Sequence, residues 1–304
     1  MNNGNKISRL IFGCEQLGGH NWGNYDVNDV INSINEALEK GLNTFDTSDV
    51  YGKGISEKLL GKVLNKRRKN AKIITKFGIC FDKNGRRYEN SHPDYISKAI
   101  IKSLKRLKTD YIDFYQLHSW DRSTKIDDII YELEKLKEKG IILSYGQSNL
   151  PENDIIKFQS KFHYSSYEFS LINQLKKTFL INKLKNHKIL IYGGLGQGIL
   201  SGKYDDKSIF SDNDRRSSNK YFNFHGKTLM NNLKIVFKLK NLSLKYNKTP
   251  SQLALKYIFQ QSPFFSIIVG IKNIKQLNLN LDVLNDWEIN EEDILSLENH
   301  NTSL

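Results

Sequence analysis

Cysteine is nearly missing from this chain: Cys14 and Cys80 are the only two in 304 residues, each in or beside an apolar segment. Neither a disulfide framework nor a cysteine metal cluster can be built from two such residues, and a reducing compartment is the natural reading. Long apolar runs are missing too. No segment approaches the roughly 18 uninterrupted apolar residues of a membrane span, and the polar stretch 1–9 lacks the apolar core of a secretory signal. The expectation is a cytoplasmic chain that is not exported and crosses no membrane. The histidines are scattered, and His118 has no second ligand at metal-binding spacing, so no metal is expected.

Charge of one sign is in excess, at a net +13. An anionic cofactor, a nucleic acid or a lysine-rich solvated surface would each suit it. Its distribution narrows the choice. Basic residues are spread along helical patterns, as in Lys98, Lys102, Lys105 and Lys108, or mixed with acids, as over 132–139. Only 65–72 forms a compact basic run, without the interleaved aromatics on which bases stack, so nucleic acid is not an expected partner.

An apolar content of 38% against 26% charge is ordinary for a globular chain of a size that can enclose a substantial core. Short β-branched and aromatic runs alternate with helical patterns over almost the whole length. Eight such runs predict strands at 9–12, 43–45, 72–75, 113–117, 143–147, 164–168, 189–192 and 266–269. Between them, Ile31, Ile34, Ala37 and Leu38 mark a helix that Gly41 ends, and Pro93 opens another whose face is Ile96, Ile100, Leu104 and Leu107. Ile129, Ile130, Leu133 and Leu136 repeat the pattern up to Gly140, and Thr249, Pro250 and Gln252 spell a capping box. No linker or repeat divides the chain. The predicted fold class is α/β, a single (β/α)8 TIM barrel over 1–304. A doubly wound sheet would suit the same alternation, but neither Gly13, Gly18 and Gly19 nor the later cluster of Gly193, Gly194, Gly196, Gly198 and Gly202 spells G-x-G-x-x-G.

A barrel carries its chemistry on the rim where its strands end. The segment 43–56 reads N-T-F-D-T-S-D-V-Y-G-K-G-I-S, so a strand runs into Asp46 and then a glycine-punctuated loop bearing Tyr51. The next two strands end at Lys76 and at His118. Each residue alone has a plainer explanation as a turn residue, a snorkelling amine, a loop cover or a core histidine. Together they form a coherent group: an ammonium beside a phenol eases release of its proton, a carboxylate holds the ammonium, and an imidazole orients a substrate oxygen.

The stretches F-D-T-S-D-V-Y-G-K-G-I-S-E-K-L-L-G from Phe45, I-I-T-K-F-G from Ile73 and D-F-Y-Q-L-H-S-W from Asp113 resemble the signatures of the aldo-keto reductase family. The resemblance runs from about Arg9 to the helix after Val269. It implies an NAD(P)H-dependent reductase of an aldehyde, ketone or sugar carbonyl. Tyr51 would be the general acid, Lys76 and Asp46 its activating pair, and His118 the residue that orients the carbonyl. It further implies that Ser148 and Asn149 hold the nicotinamide carboxamide, with Asp46 also at the cofactor, and that Tyr192 stacks on the nicotinamide ring. Gly193, Gly194, Leu195, Gly196 and Gly198 would face the pyrophosphate, and Gly270, Lys272, Gln276 and Asn280 the adenosine phosphate. Two positions depart from the pattern. Ser166 stands where family members often carry a glutamine facing the carboxamide, and Gln276 where NADP-preferring members carry an arginine. Lys272 can meet a 2′-phosphate as a point charge, so NADPH is the expected cofactor, with NADH kept open.

Candidate substrate contacts are Trp22, Tyr25, Tyr51, His118, Trp120 and the insertion 202–227. That insertion, with Asp214, Arg215, Arg216, Tyr221 and Phe222, suits either a lid over a sugar-like or anionic substrate or a solvated loop. The expected partner is a small-molecule carbonyl or sugar. A cofactor-binding regulatory subunit with little turnover is the competing reading, against which the complete group of four stands.

Overall fold

The computed structural model describes residues 7–19, 22, 23 and 25–299. The strands are β1 (Leu10–Gly13), β2 (Thr44–Asp46), β3 (Lys72–Phe77), β4 (Ile79–Phe81), β5 (Arg87–Glu89), β6 (Ile112–Leu117), β7 (Ile142–Ser148), β8 (Tyr164–Glu168), β9 (Ile189–Tyr192) and β10 (Phe265–Gly270). Eight of them close into a barrel in the order β1-β10-β9-β8-β7-β6-β3-β2, every neighbouring pair parallel. These are the eight expected runs, each within two residues at either end. The antiparallel hairpin β4–β5, with Ile79 opposite Glu89, was not expected and stands on the rim beside the end of β3.

The helices are α1 (Val27–Glu39), α2 (Ile55–Leu64), α3 (Pro93–Leu107), α4 (Ile126–Glu138), α5 (Glu152–Phe158), α6 (Gly226–Tyr246), α7 (Pro250–Gln261), α8 (Ile274–Asp282) and α9 (Glu291–Glu298). Their ends follow local chemistry. Asp26 caps α1 through the Asn28 N–H, Pro93 opens α3, and Thr249 and Gln252 form the expected capping box of α7.

Side chains alternate across a strand, so a barrel strand can contribute to two cores. Outward-facing Phe12, Phe45, Ile73, Tyr115 and Ile191 pack under the helices. Inward-facing Ile11, Ile74, Phe114, Tyr164 and Leu190 form a separate apolar plug, with Ile268 against it. A buried side chain of this size contributes about 1.5–3 kcal/mol. The Tyr164 ring lies against Gly146 of β7, where any Cβ would meet it, which explains a glycine inside that strand.

Two residues further along the same strands the inward positions turn polar: Lys76 after Ile74, Gln116 after Phe114, Ser166 after Tyr164 and Tyr192 after Leu190. The compact basic run serves the opposite end. Arg68 donates to Asp113 at 2.7 Å and to the Tyr111 carbonyl at 3.0 Å, with its guanidinium over the Tyr111 ring.

No helix among the described residues is long and apolar enough to cross a membrane. No group of three or more His, Cys, Asp or Glu among them could hold a metal ion.

Candidate active site

The last residue of β2, Asp46, is 2% exposed, and the fifth residue of β3, Lys76, is 4% exposed. The Lys76 Nζ donates to both carboxylate oxygens at 2.7 and 2.8 Å and to the Thr47 carbonyl at 2.7 Å, which satisfies all three of its hydrogens. Burial raises the Asp46 carboxyl above its ordinary value, and the ammonium works against that rise.

The loop after β2 carries Tyr51 back over this pair. Thr47 N donates to the Ile74 carbonyl at 2.8 Å, and Ser56 Oγ, bonded to Thr47 Oγ1, donates to the Cys14 carbonyl at 2.7 Å. Gly52 closes the turn at φ +59° in direct contact with the Gly18 backbone, where a Cβ would collide with the Gly18 carbonyl. The Lys76 Nζ then lies 5.0 Å from the centroid of the Tyr51 ring. His118, just past the end of β6, meets the same ring edge-on at 6.1 Å between centroids. The four residues expected from sequence are therefore brought together at one point of the rim.

Their electrostatics differ from the sequence expectation in one respect. The Tyr51 phenol lies well above its ordinary pKa, through burial first and the Asp46 charge second, rather than being lowered by Lys76. The Asp46 carboxylate lies against the ammonium and opposes its field at the phenol. His118 lies well below the ordinary histidine value, through burial, Lys76 and Arg87, and is neutral at pH 7.

Beside this group, five polar side chains form one chain of hydrogen bonds. Gln116 Nε2 donates to Ser166 Oγ at 2.6 Å, and Ser166 to Ser148 Oγ at 3.1 Å. Asn149 Nδ2 donates to the same Ser148 oxygen at 3.1 Å, and Tyr192 OH donates to Asn149 Oδ1 at 2.9 Å. Ser148, Asn149, Ser166 and Tyr192, each expected at the cofactor, thus come together. Gln116 was missed, and its signal was available: it lies midway between the inward-facing Phe114 and His118. Its buried Oε1 has no hydrogen-bond partner among the described residues, which leaves an acceptor for an amide N–H.

A cavity of about 540 Å³ opens next to these residues, lined by His118, Trp120, Ser148, Asn149 and, on its rim, Arg87, Glu89, Asp121 and Arg122. Trp120 is held by a 2.8 Å bond from its indole to the Thr124 carbonyl. The β4–β5 hairpin supplies Arg87 and Glu89, which pair at 3.0 Å.

Trp22 lies elsewhere. It meets Tyr221 edge-on at 5.5 Å, under the Arg215 guanidinium at 5.0 Å, and its carbonyl accepts the Lys272 ammonium. Tyr25, also expected near substrate, donates its hydroxyl to the Gln16 carbonyl and lies near Lys272. The insertion 202–227 is no plain solvated loop. It is organised around buried Arg216, which bonds both oxygens of Asp214 and the Tyr204 hydroxyl inside a ring of Tyr204, Phe210 and Phe224. Arg215 joins it to Glu15 at 2.6 Å, so insertion, β1 loop and β10 loop meet in one strap.

Of the residues expected at the adenosine phosphate, Gly270 ends β10 and Lys272 follows in that strap. Gln276 accepts the Lys272 backbone N–H at 2.9 Å, so it fixes the loop, and Asn280 is only 4% exposed within α8. Lys272 is pushed down to about 8 by burial first and then by Arg216 and Lys203, an excess of positive charge that a bound anion would relieve. In the β9 loop, side chains at Gly194 and Gly196 would strike Ile258 and Ile172, so these glycines mark close packing, and Leu195 lies between them. Gly193 and Gly198 have φ of +71° and +105°.

The sequence pattern of the Aldo/keto reductase family matches residues 9–302. The oxidoreductase YqkF of Bacillus subtilis is 31% identical over 300 residues, covering 97% of this chain and 92% of its own. The NADP(+) aldo-keto reductase yakc of Schizosaccharomyces pombe is 32% identical over 83% of this chain and 76% of its own. The NADH-specific methylglyoxal reductase of Escherichia coli is 28% identical over 92% of this chain and 90% of its own. Among solved structures, the glycerol dehydrogenase of Gluconobacter oxydans superposes with a TM-score of 0.86 at 27% identity, covering 97% of this chain and 91% of that one.

Proposed function

Because this chain belongs to the aldo/keto reductase family of oxidoreductases, we propose that it reduces the carbonyl of a small polar aldehyde, ketone or sugar to an alcohol, with NADPH as preferred reductant. The observation that carries this reading is the meeting of Asp46, Lys76, Tyr51 and His118, the last of which lines a polar cavity of the size that takes a small molecule.

Bound NADPH would supply a hydride from its nicotinamide C4. The residues present fit that group: Gln116 Oε1 is a buried acceptor without a partner among the described residues, Ser148 and Asn149 edge the cavity, and Lys272 lies near Arg216 and Lys203. Gln116 would serve in place of the glutamine missing at Ser166, reaching Ser166 across β7. Gly193, Gly194, Leu195, Gly196, Gly198 and Gly270 would line the phosphates, and Gln276 and Asn280 would shape the adenosine end.

Tyr51 delivers the proton. Its raised pKa keeps the phenol protonated at neutral pH, so it holds a proton for the oxygen of the alcohol being formed. Lys76, held by Asp46 against the ring, stabilises the phenolate as the proton leaves. Neutral His118 donates a hydrogen bond to the carbonyl oxygen and so fixes its approach. Arg87, Glu89, Asp121 and Arg122 on the rim favour substrates with hydroxyl or charged groups beside the carbonyl.

The test is Tyr51→Phe, followed by the ultraviolet absorbance of the dihydronicotinamide over a panel of small carbonyl compounds. Loss of at least about 10²-fold in kcat with little change in NADPH affinity is expected for a general acid. Undiminished turnover in that variant would refute the assignment.

A further inference from the structure

Ser48, fully buried in the loop between Asp46 and Tyr51, lies between two groups that compete for one hydrogen. Its Oγ is 3.1 Å from Asp49 Oδ1 and 3.2 Å from His118 Nδ1, and it also accepts the Val50 N–H at 3.4 Å. A hydroxyl carries a single hydrogen, so it can donate to the carboxyl or to the imidazole but not to both. His118 is neutral, so one of its ring nitrogens carries hydrogen and the other does not.

We propose that Asp49 and Ser48 are a positioning pair that selects which nitrogen of His118 carries its hydrogen, the protonated carboxyl selecting the form that donates to a substrate carbonyl from Nε2. The proposal rests on the reading of His118 as the residue that orients the carbonyl. When Asp49 is ionised it only accepts, so Ser48 donates to it and takes the Nδ1 hydrogen, and Nε2 is left as a bare lone pair. When Asp49 is protonated its hydroxyl donates to Ser48 Oγ, Ser48 donates to Nδ1, and the imidazole hydrogen resides on Nε2. The two states differ by one proton, released to or taken from solvent. The first state repels a carbonyl oxygen and suits an alcohol; the second polarises a carbonyl.

The surroundings put this switch in a useful range. Asp49 is pushed up to about 7 by burial first and by the Glu57 carboxylate second, against the Ser48 hydroxyl, Arg106 and the Val50 N–H. Glu57 is itself held by Thr75 at 2.6 Å and Arg106 at 2.5 Å. The Asp49 charge is also felt by Cys80, Tyr95 and Tyr115 of β4, α3 and β6, all raised above their ordinary values and therefore uncharged near neutrality. On the far side, Lys76 and Arg87 face His118. Asp49 is thus the group of this cluster that changes charge around pH 7.

The decisive measurement is nitrogen NMR of the full chain labelled in histidine, with His118 assigned by the signals lost in His118→Asn. The expected result is a change from the Nε2–H to the Nδ1–H form between about pH 5.5 and about pH 8.5, absent in Asp49→Asn and in Ser48→Ala and restored in Ser48→Thr. Carbonyl reduction by the parent should fall at least about fivefold over the same range with the same midpoint, and the step should be missing in Asp49→Asn. A His118 tautomer that does not respond to pH, or that responds identically in Asp49→Asn, would overturn the proposal. If the parent reduces no carbonyl at all, the functional reading falls, and the NMR result decides the switch independently.

Discussion

One alternation step separates two storeys of the same barrel. Ile74, Phe114, Tyr164 and Leu190 form a dry apolar plug, while Lys76, Gln116, Ser166 and Tyr192, two residues further on the same strands, form a hydrogen-bonded polar layer. The backbone is equally regular in both. The difference lies in what each storey does for the molecule: the lower gains its stability from burial, whereas the upper holds charges and dipoles in fixed positions at the edge of a low-dielectric interior, where they act strongly on a substrate.

Substitutions across that boundary should separate stability from activity. The largest effect is expected for Lys76→Met, which leaves Asp46 buried without its partner. Urea denaturation should show a loss of about 3–5 kcal/mol, and turnover should vanish. The double variant Asp46→Asn with Lys76→Met should recover much of that stability and none of the activity. Phe114→Ala, one storey below, should cost a similar 3–5 kcal/mol by denaturation. Its folded fraction should nonetheless turn over substrate at close to the parental rate, and a loss of activity per folded molecule would show that the storeys are not separable.

Smaller effects sharpen the picture of the upper layer. Gln116→Leu removes the unpartnered oxygen together with the buried bond from Nε2 to Ser166, so stability should fall by about 1–3 kcal/mol, while cofactor affinity measured by fluorescence titration should fall about tenfold through one lost hydrogen bond. Lys272→Met should narrow the preference for NADPH over NADH by about tenfold, and an unchanged ratio would remove Lys272 from cofactor selection. The smallest effect concerns stability against pH. Asp49 has a folded-state value near 7 against 3.8 unfolded, so the stability it contributes is complete below about 3.8 and is lost as pH rises through about 7. Thermal melts of Asp49→Asn should therefore lose less between about pH 5 and about pH 8 than those of the parent.

Much of this was legible in the chain itself. Strand after strand is a short β-branched or aromatic run, and a residue at a strand end of a parallel barrel has only one rim to face, so Asp46, Lys76 and His118 could be placed together before any coordinates. Tyr51 followed from a loop too short to carry it away. What stayed hidden depended on partners distant in sequence. The hairpin β4–β5 is only three residues a side, with Ile79 and Cys80 its only buried residues, which leaves little hydrophobic pattern to read. Trp22, expected at substrate, turns to Tyr221, about two hundred positions on, and Arg216 finds its aromatic ring only once the insertion folds over.

The sequence by itself determined the barrel and the identity of the four converging side chains, because both follow from periodicity and from where each strand stops. Only the tertiary structure decided their chemical states. Burial, not the adjacent ammonium, sets the Tyr51 phenol; Gln116 reaches Ser166 across β7; and the Ser48 hydroxyl lies within hydrogen-bond distance of both Asp49 and His118. Protonation and hydrogen-bond direction depend on distances of a few ångströms and on exclusion of water, which no order of residues along a chain specifies.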